Sequence, residues 1–213
     1  MKYIVTDVES TNSLDDPFTY DIGFAVVDET GKVYEKYSYV VADIFLDKEL
    51  MKSAYFADKI PQYWADIKAG KRELKTFFNI KKKFAEVCKK NHIWCVLAHN
   101  ARFDYRALNL TARYLTGSKV KYFFPYGIVI ADTLKMAKTV LKNDDAYGEF
   151  CYTNGYLTKR MCKRYTAEII YRFLINDISF EESHTGLEDT LIEKEIFVYC
   201  FNKNPETLKS MWE

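Results

Sequence analysis

The first forty residues contain three strand-length runs that are apolar or that alternate between apolar and polar side chains. Such runs are typical of buried or half-buried β-strands, and they predict strands over residues 3–8, 21–28 and 33–41. The turn-forming residues 29–32 (Glu-Thr-Gly-Lys) separate the second strand from the third. We therefore expect the three strands to form an antiparallel meander.

Further along the chain, predicted strands alternate with predicted helices. Residues 93–98 are continuously apolar, as in a strand that is covered on both faces, and residues 128–130 predict a fifth strand. Apolar side chains at helical spacing predict helices over residues 73–90, 103–115, 133–141, 156–165 and 187–201. Residues 46–70 are expected to be helical in pieces that are interrupted at Ile60-Pro61. Residues 143–154 show no periodicity and are expected to form a mobile loop.

These elements predict an α/β fold with a mixed five-stranded sheet. Two parallel strands would join the three-stranded antiparallel meander, and helices would flank the sheet. The 213 residues are 48% hydrophobic, which is enough to bury a sizeable core and excludes overall disorder. No linker-like composition divides the chain, so residues 1–213 are expected to form a single domain.

The composition also bears on the compartment. No apolar run approaches the ~20 residues of a membrane span, and the first residues do not resemble a signal peptide. The five cysteines include no CxxC pair, which favours free thiols over a disulfide framework or a structural zinc site. We therefore expect a cytoplasmic protein that binds no membrane.

The net charge of +1 conceals a strong division along the chain. Residues 1–58 carry a net charge of −7, residues 59–172 one of +14, and residues 173–213 one of −6. This distribution fits a carboxylate-lined site beside a cationic surface, as in a metal-dependent enzyme that acts on polyphosphate substrates. Lysine-rich surface helices produce the same pattern, so charge alone does not distinguish the two interpretations.

The first group of candidate site residues lies at the end of the first predicted strand. Asp7 and Glu9 are two residues apart, so both carboxylates project from one face of the strand. Two carboxylates aimed at one point repel each other unless a cation lies between them, and Mg²⁺ or Mn²⁺ commonly fills this role. The same spacing recurs at Asp47 and Glu49, where a surface helix is the simpler interpretation. What distinguishes the first pair is its position, because open α/β sheets bind ligands at the carboxyl ends of their strands.

The second group follows the buried fourth strand directly. Asn100 and Asp104 lie four residues apart, where the strand turns into a helix. They would reach the same sheet edge as Asp7 if the fourth strand runs parallel to the first. The structural alternative is an N-cap, because Asn and Asp are ordinary residues at the start of a helix.

The third group, His184 and Asp189, lies at the start of the last predicted helix. A regular helix would rotate the two side chains about 140° apart, so they converge only if His184 precedes the helix. His99 and Asp104 have the same spacing, so spacing does not identify the functional histidine. Gly186 favours a flexible loop beside His184, whereas His99 closes a strand and is expected to be structural.

Taken in order, the three groups resemble the motifs of the DnaQ-like 3′–5′ exonucleases of the DEDDh class, in the ribonuclease H-like superfamily. The residues that carry the resemblance are Asp7-Val8-Glu9 for the first motif, Asn100 and Asp104 for the second, and His184 and Asp189 for the third. Thr185 stands where the tyrosine-using sister class would carry Tyr. Ser10-Thr11-Asn12 departs from the Thr-Thr-Gly of many members, and residues 42–72 match nothing in the family pattern.

The resemblance implies a ribonuclease H-like fold and divalent-metal-dependent hydrolysis of phosphodiester bonds at 3′ ends, which releases nucleoside 5′-monophosphates. It implies that two Mg²⁺ or Mn²⁺ ions are held by four carboxylates: Asp7, Glu9, Asp104 and Asp189. It further implies that His184 is the general base, a role for which the ordinary histidine pKa near 6.5 is suited.

The resemblance also suggests where the substrate binds. The backbone around Ser10 and Thr11, together with Asn100, is expected to contact the terminal nucleotide. Phe103 and Phe56 are candidates for stacking on unpaired bases, and the basic residues 157–164 are candidates for phosphate contacts. The partner is expected to be nucleic acid with a free 3′ end, single-stranded DNA being favoured. A DNA polymerase or other replication protein is a candidate partner, in proofreading or repair.

Two alternatives stay open. The protein could be an exoribonuclease similar to RNase T or oligoribonuclease. The same fold could also serve as a non-catalytic module that binds nucleic acid or a polymerase. The clustered carboxylates argue against the module, because like charges that serve no purpose only repel each other.

Overall fold

The computed structural model describes residues 1–11 and 16–213. Within this part of the chain, six strands form one sheet in the order β4-β3-β2-β1-β5-β6. The strands are β1 (Lys2–Thr11), β2 (Phe18–Asp28), β3 (Val33–Val41), β4 (Glu73–Lys75), β5 (Cys95–Ala98) and β6 (Val129–Asp132). Strands β1, β2 and β3 are antiparallel neighbours, whereas β5 runs parallel to β1 and β6 runs parallel to β5. The predicted mixed α/β architecture, an antiparallel meander joined by two parallel strands, is confirmed.

Helices cover both faces of the sheet. They are α1 (Ala42–Phe45), α2 (Lys48–Met51), α3 (Ile60–Lys68), α4 (Phe77–Lys90), α5 (Arg102–Thr116), α6 (Thr133–Leu141), α7 (Asp145–Thr153), α8 (Ala167–Ile175) and α9 (Gly186–Lys203), with short 3₁₀ turns at Ala57–Lys59 and Pro205–Thr207. No helix in residues 1–11 and 16–213 combines the length and the apolar character that crossing a bilayer requires.

The alternation of side chains along β1 assigns each residue to one of two cores. Ile4 and Val8 are buried against the helices α4 and α5 on one face of the sheet. Tyr3 and Val5 are buried on the opposite face, against α6, α8 and α9. Asp7 and Glu9 continue the second series. Their carboxylates therefore project towards the side of the sheet that α9 covers.

The segment around β4 differs from the prediction of a helix over residues 73–90. Residues 73–75 pair in parallel with β3 as a sixth strand at the sheet edge. The helix begins only at Phe77, where the Thr76 hydroxyl accepts a hydrogen bond from the Asn79 backbone N–H at 3.4 Å. A three-residue edge strand has too short a pattern to be separated from the helix that follows it.

Two further predictions are wrong. Residues 143–154 are not a loop, because α7 begins after Asp144, whose carboxylate accepts a hydrogen bond from the Tyr147 backbone N–H at 2.8 Å. Residues 156–165 are not a helix, because Leu157 and Lys163 form an isolated antiparallel bridge. The Lys163 ammonium donates to backbone carbonyls at the end of α6 and before α7, 2.9–3.1 Å away. These contacts hold residues 156–165 against the end of α6 and the start of α7, where they do not form a helix.

Residues 46–70 are helical in pieces, as predicted. Pro61 does not interrupt a helix, however, but lies in the first turn of α3, where a missing N–H costs nothing. The carboxylate of Asp47 caps α2, and the exposed Glu49 pairs with Lys52 on the same surface helix. The second Asp-x-Glu pair therefore has the structural role that the sequence favoured.

Candidate active site

The parallel strands bring separate parts of the chain to one edge of the sheet. Val5 of β1 lies beside Leu97 of β5, and Ala98 lies beside Asp132 of β6, so β5 and β6 end next to Asp7, whereas β1 continues to Thr11. A cleft of about 620 Å³ opens there. The predicted site residues that line it are Asp7, Glu9, Asn100, Phe103, Asp104, His184 and Asp189. The fourth strand predicted from the sequence is β5, and it runs parallel to β1, as the convergence of Asn100 and Asp104 with Asp7 requires.

Two glycines set the position of α9 over the sheet. The N-terminus of α9 lies so close to β2 that a Cβ atom added to Gly186 would be 2.6 Å from the Gly23 backbone nitrogen and 3.1 Å from the Asp7 carbonyl oxygen. A Cβ atom added to Gly23 would be 2.1 Å from the Gly186 carbonyl carbon. Only residues without side chains allow this approach, which carries Asp189 to the carboxylates of β1. Close packing against β2 therefore explains the glycine at position 186, whereas the sequence suggested a flexible loop there.

We expect the Gly186→Ala protein to lose about 1–3 kcal/mol of unfolding free energy, because the added methyl group would overlap immobile backbone. Chemical denaturation followed by circular dichroism measures this change. Gly148→Ala is the matched control, since the nearest atom there is the Lys163 ammonium at 3.3 Å, with no backbone atom as near, and alanine favours a helix interior. Equal stability of the two variants would contradict the packing role of the glycine pair.

The loop before α9 makes His184 and Asp189 converge. His184 has a left-handed backbone, with φ of 48°, and lies outside the helix. The Asp189 carboxylate accepts a hydrogen bond from the Thr185 backbone N–H at 2.9 Å, which fixes the carboxylate across the first turn of α9. One candidate ligand atom from each of Glu9, His184 and Asp189 lies within 4.8 Å of the other two.

The carboxylates of this cleft are buried close to one another. Burial, followed by the negative charges of Glu193, Asp104, Glu9 and Asp189, raises the pKa of Asp7 well above its ordinary value. Burial likewise raises the pKa of Glu9 to about 9 and that of Asp189 to about 7, and it raises the pKa of Asp104. Such a cluster does not ionise fully by itself at neutral pH, since each charge repels the next.

The chemistry of the donors suits a hard divalent cation. Carboxylate oxygens are the ligands that Mg²⁺ and Mn²⁺ prefer, and a cation among them would relieve their repulsion. Oδ1 of Asp104 is buried and has no hydrogen-bond partner within residues 1–11 and 16–213. Buried polar atoms normally have a partner, so this oxygen is available as a ligand. The residues present therefore fit a divalent metal site.

The two cleft histidines differ in how their rings are engaged. His99 is held by the Thr133 hydroxyl at 3.0 Å from Nδ1 and by the Tyr165 carbonyl oxygen at 2.7 Å from Nε2. The His184 side chain is 39% exposed, and its Nδ1 lies 3.9 Å from the Glu182 carboxylate. Protein atoms occupy both nitrogens of His99, so His184 is the histidine with a ring available to a bound molecule.

No family model and no curated protein sequence matches the chain. Solved structures do resemble it. Exonuclease X in complex with 5′-overhanging duplex DNA has a TM-score of 0.55 at 15% identity, with 98% of this chain and 96% of that chain covered. The zinc-bound complex of Escherichia coli exonuclease I with single-stranded DNA has a TM-score of 0.58 at 12% identity; the match covers 97% of this chain but 41% of that one. The Mg²⁺- and Mn²⁺-bound form of Pop2p from S. pombe has a TM-score of 0.51 at 12% identity, with coverages of 96% and 84%.

This chain has the fold of exonuclease X and exonuclease I. The expected ribonuclease H-like architecture and the suspected family likeness are thus confirmed at the level of the fold. The chain spans about two fifths of exonuclease I and nearly the whole of exonuclease X.

Two acidic residues of this cleft were not predicted from the sequence. Glu193 is buried one helical turn after Asp189 on α9, and its carboxylate accepts a hydrogen bond from the His99 backbone N–H at 3.1 Å. Glu182 lies just before the third motif, and burial raises its pKa to about 8. The four-residue interval between Asp189 and Glu193 was a usable signal, because it places both side chains on one helix face.

A buried ionic network contacts the N-terminus of α9 and stabilises its position. Asp21 of β2 accepts hydrogen bonds from the Gly186 backbone N–H at 2.8 Å and from the Tyr63 hydroxyl at 2.7 Å. Arg72 lies 3.4 Å from Asp21 and 2.8 Å from Glu188 of α9. Asp21 and Arg72 are each less than 5% exposed. A lone Asp and a lone Arg carry no sequence signal of this kind, because only the fold brings them together.

Residues 42–72, which match nothing in the family pattern, contact the loop that carries His184. The Phe56 ring stacks on the His184 imidazole, with centroids 4.3 Å apart and planes 11° from parallel. The Lys59 ammonium donates a hydrogen bond to the Ser183 carbonyl oxygen. Phe56 thus packs against His184, and its expected stacking on unpaired bases stays a prediction.

The remaining candidate substrate residues divide into two groups. Asn100 is exposed and Phe103 half-buried in the wall of the cleft. Ser10 and Thr11 are buried at the end of β1 and are not among the lining residues, so their expected contact with a nucleotide stays a prediction that concerns the backbone. Within the basic segment 157–164, Thr158, Lys163 and Arg164 line the cleft, and the Lys163 ammonium is engaged by backbone carbonyls.

Proposed function

We propose that the protein is a divalent-metal-dependent 3′–5′ exonuclease that removes nucleoside 5′-monophosphates from the 3′ ends of nucleic acid, with single-stranded DNA favoured. One observation carries the proposal. Asp7, Asp104 and Asp189 come from three distant segments and line one cleft, with His184 beside them, in a fold shared with exonucleases. We propose further that residues 1–213 act as one domain, in the cytoplasm. A polymerase partner stays a prediction.

In this proposal the carboxylates of Asp7, Glu9, Asp104 and Asp189 hold the divalent ions. When bound, such ions offset the negative charge of the phosphodiester and lower the pKa of water. The rest of the chemistry belongs to the protein. Burial and the nearby Lys59 ammonium lower the pKa of His184, so the imidazole is neutral at neutral pH and able to accept a proton.

The bond changes are those of a hydrolysis. The oxygen of a water molecule bonds to the phosphorus of the last phosphodiester, while its proton passes to a ring nitrogen of His184. The bond between that phosphorus and the 3′ oxygen of the preceding nucleotide breaks, and this oxygen takes a proton from solvent. Asn100 and Phe103 line the same cleft, and in this proposal they contact the terminal nucleotide.

The test uses a 5′-labelled single-stranded DNA oligonucleotide with Mn²⁺ or Mg²⁺, and a matched RNA oligonucleotide beside it. We expect a ladder of products that shorten stepwise from the 3′ end, and no products in EDTA or with Asp7→Ala. Faster shortening of the RNA would assign the exoribonuclease alternative. Binding without shortening under every metal condition would overturn the proposal and support a non-catalytic module.

The stack of Phe56 on His184 gives a prediction in the same assay. An aromatic pair contributes about 0.5–1.5 kcal/mol, so Phe56→Ala is expected to lower kcat by about 3- to 10-fold while KM changes little. Phe56→Tyr keeps the ring and should restore kcat. Phe78→Ala, at a side chain that is 74% exposed on α4, is the control. A rise in KM with unchanged kcat would instead assign Phe56 to substrate binding.

A further inference from the structure

A second cleft opens beside the first turn of α5, outside the carboxylate site. Its volume is about 370 Å³, within the range of small-molecule sites. We call it the aromatic cleft, since half of its lining residues are aromatic: Tyr105, Tyr122, Phe124, Tyr126 and Trp212. Tyr126 is fully exposed, Trp212 is 62% exposed and Tyr122 is 47% exposed. So many exposed rings around one depression indicate a binding surface.

Three rings of the aromatic cleft, those of Tyr105, Phe124 and Trp212, pack against one another. Tyr105 stacks on Phe124, with centroids 5.6 Å apart and planes 6° from parallel. The Trp212 ring stands at 89° to Tyr105, with centroids 5.6 Å apart. In the part of the chain that the structure describes, neither Tyr122 nor Tyr126 packs against another ring. The Arg113 guanidinium lies over one face of Tyr122. The other face of Tyr122 and the ring of Tyr126 are available to a flat molecule that enters the cleft.

The charge around the aromatic cleft selects the chemistry of that molecule. Two of the cations in residues 101–130, Arg102 and Arg113, lie against rings of the cleft. Asp104 is the one carboxylate in this stretch of sequence, and it is buried in the active site. The Arg102 guanidinium lies 5.5 Å from the Trp212 ring centre, and that of Arg113 lies 5.1 Å from the Tyr122 ring centre. Flat rings between cations fit a polyanion with flat bases, which is single-stranded nucleic acid.

The aromatic cleft adjoins the active-site cleft. Arg102 and Tyr105 lie in the same helical turn as Phe103 and Asp104, which line the carboxylate site. The two clefts therefore lie on different sides of the first turn of α5, and a helix with its side chains is about 10–12 Å across. A strand whose 3′ nucleotide is in the active site reaches the aromatic cleft within a few nucleotides.

We propose that the aromatic cleft binds unpaired bases of single-stranded nucleic acid on the 5′ side of the nucleotide in the active site. The inference rests on the proposed exonuclease function for the direction of the strand, but the binding itself does not require cleavage. Stacking of bases on Tyr122 and Tyr126, and attraction of phosphates by the surrounding cations, would hold the substrate between successive cleavages.

The test compares substrate lengths with the full chain. In EDTA, anisotropy of a labelled ten-nucleotide DNA should show at least fivefold weaker binding by Tyr122→Ala/Tyr126→Ala than by the unchanged protein. With Mn²⁺, kcat/KM for a dinucleotide should be the same for both proteins. Tyr122→Trp/Tyr126→Trp keeps the ring faces and should restore binding. Tyr152→Ala, 73% exposed on α7, is the control.

The outcomes separate the two proposals. If the ten-nucleotide DNA binds the alanine variant as well as the unchanged protein, the aromatic cleft is not a nucleic-acid site, and a protein contact becomes the explanation of its exposed rings. An equal loss on the dinucleotide and the longer DNA would place the effect in the active site and also overturn the inference. If the unchanged protein shortens no oligonucleotide, the exonuclease proposal fails, whereas the anisotropy result still decides the binding site.

Discussion

The His184→Ala protein is expected to turn over 10²- to 10⁴-fold more slowly than the unchanged protein, with little change in substrate affinity. The imidazole is the proposed acceptor of the proton from the attacking water, and general bases contribute an effect of this size. The carboxylates are untouched, so substrate and metal should still bind. Single-turnover kinetics on a labelled oligonucleotide, together with binding measured in EDTA, separates the two effects.

His92→Ala is the matched control for this experiment, since His92 is exposed and does not line the cleft. The buried His99 is a less suitable control because its removal breaks two hydrogen bonds. A large loss of affinity with unchanged turnover in the His184→Ala protein would contradict the general-base role. So would a loss of turnover no greater than that of His92→Ala.

Asp7→Asn is expected to abolish activity and, without divalent ions, to stabilise the fold. Asp7 is buried among carboxylates that raise its pKa, so a neutral amide removes repulsion that the folded state otherwise bears. We expect a gain of about 1–2 kcal/mol in EDTA at pH 8, equivalent to about 2–8 °C in Tm. Mn²⁺ should raise the Tm of the unchanged protein, because it binds the folded state, and should raise that of the variant far less.

The pH dependence has a definite sign. Because the pKa values of Glu9 and Asp189 are raised to about 9 and about 7, the folded chain binds protons that the unfolded chain has released above its ordinary carboxyl pKa near 4. Stability in EDTA therefore falls as the pH rises from about 4 towards 9. The slope should be smaller for Asp7→Asn. Asp145→Asn, at an exposed residue of α7, should keep the slope of the unchanged protein.

Thermal unfolding at several pH values, with and without EDTA, tests both statements. An Asp7→Asn protein that is less stable than the unchanged protein in EDTA would show that Asp7 is held by hydrogen bonds and not repelled by its neighbours. Equal stabilisation of both proteins by Mn²⁺ would place the metal away from Asp7.

The sheet was predictable where its patterns were long and unambiguous. Strands β1 to β3 have lengths of nine to eleven residues, and β5 is continuously apolar because both its faces are covered. Strand β4 has three residues and pairs only at the sheet edge. Local propensity misled in residues 156–165, where Lys163 is bound to carbonyls from distant parts of the chain. Such tertiary contacts have no counterpart in a local pattern.

The candidate site was predictable to a different extent. Asn100 and Asp189 lie where a strand ends or a helix begins, so their sequence position placed them at the sheet edge. Asp7 lies within β1, beside the point where the neighbouring β5 ends. Arg72 and Asp21 form their ion pair across 51 residues of sequence, and Phe56 meets His184 across a longer interval. Neither contact has a recognisable spacing. The sequence therefore did not predict the contacts by which residues 42–72 support the loop of His184 and the start of α9.

The proposed exonuclease function depends most on a divalent cation at the carboxylates of β1 and α9. Crystals grown with MnCl₂ and measured at a wavelength with strong manganese anomalous scattering locate the ion directly. We expect an anomalous peak about 2 Å from carboxylate oxygens of Asp7, Glu9 and Asp189. A fully loaded crystal with no peak at these oxygens, from a preparation that still shortens DNA in Mn²⁺, would contradict it.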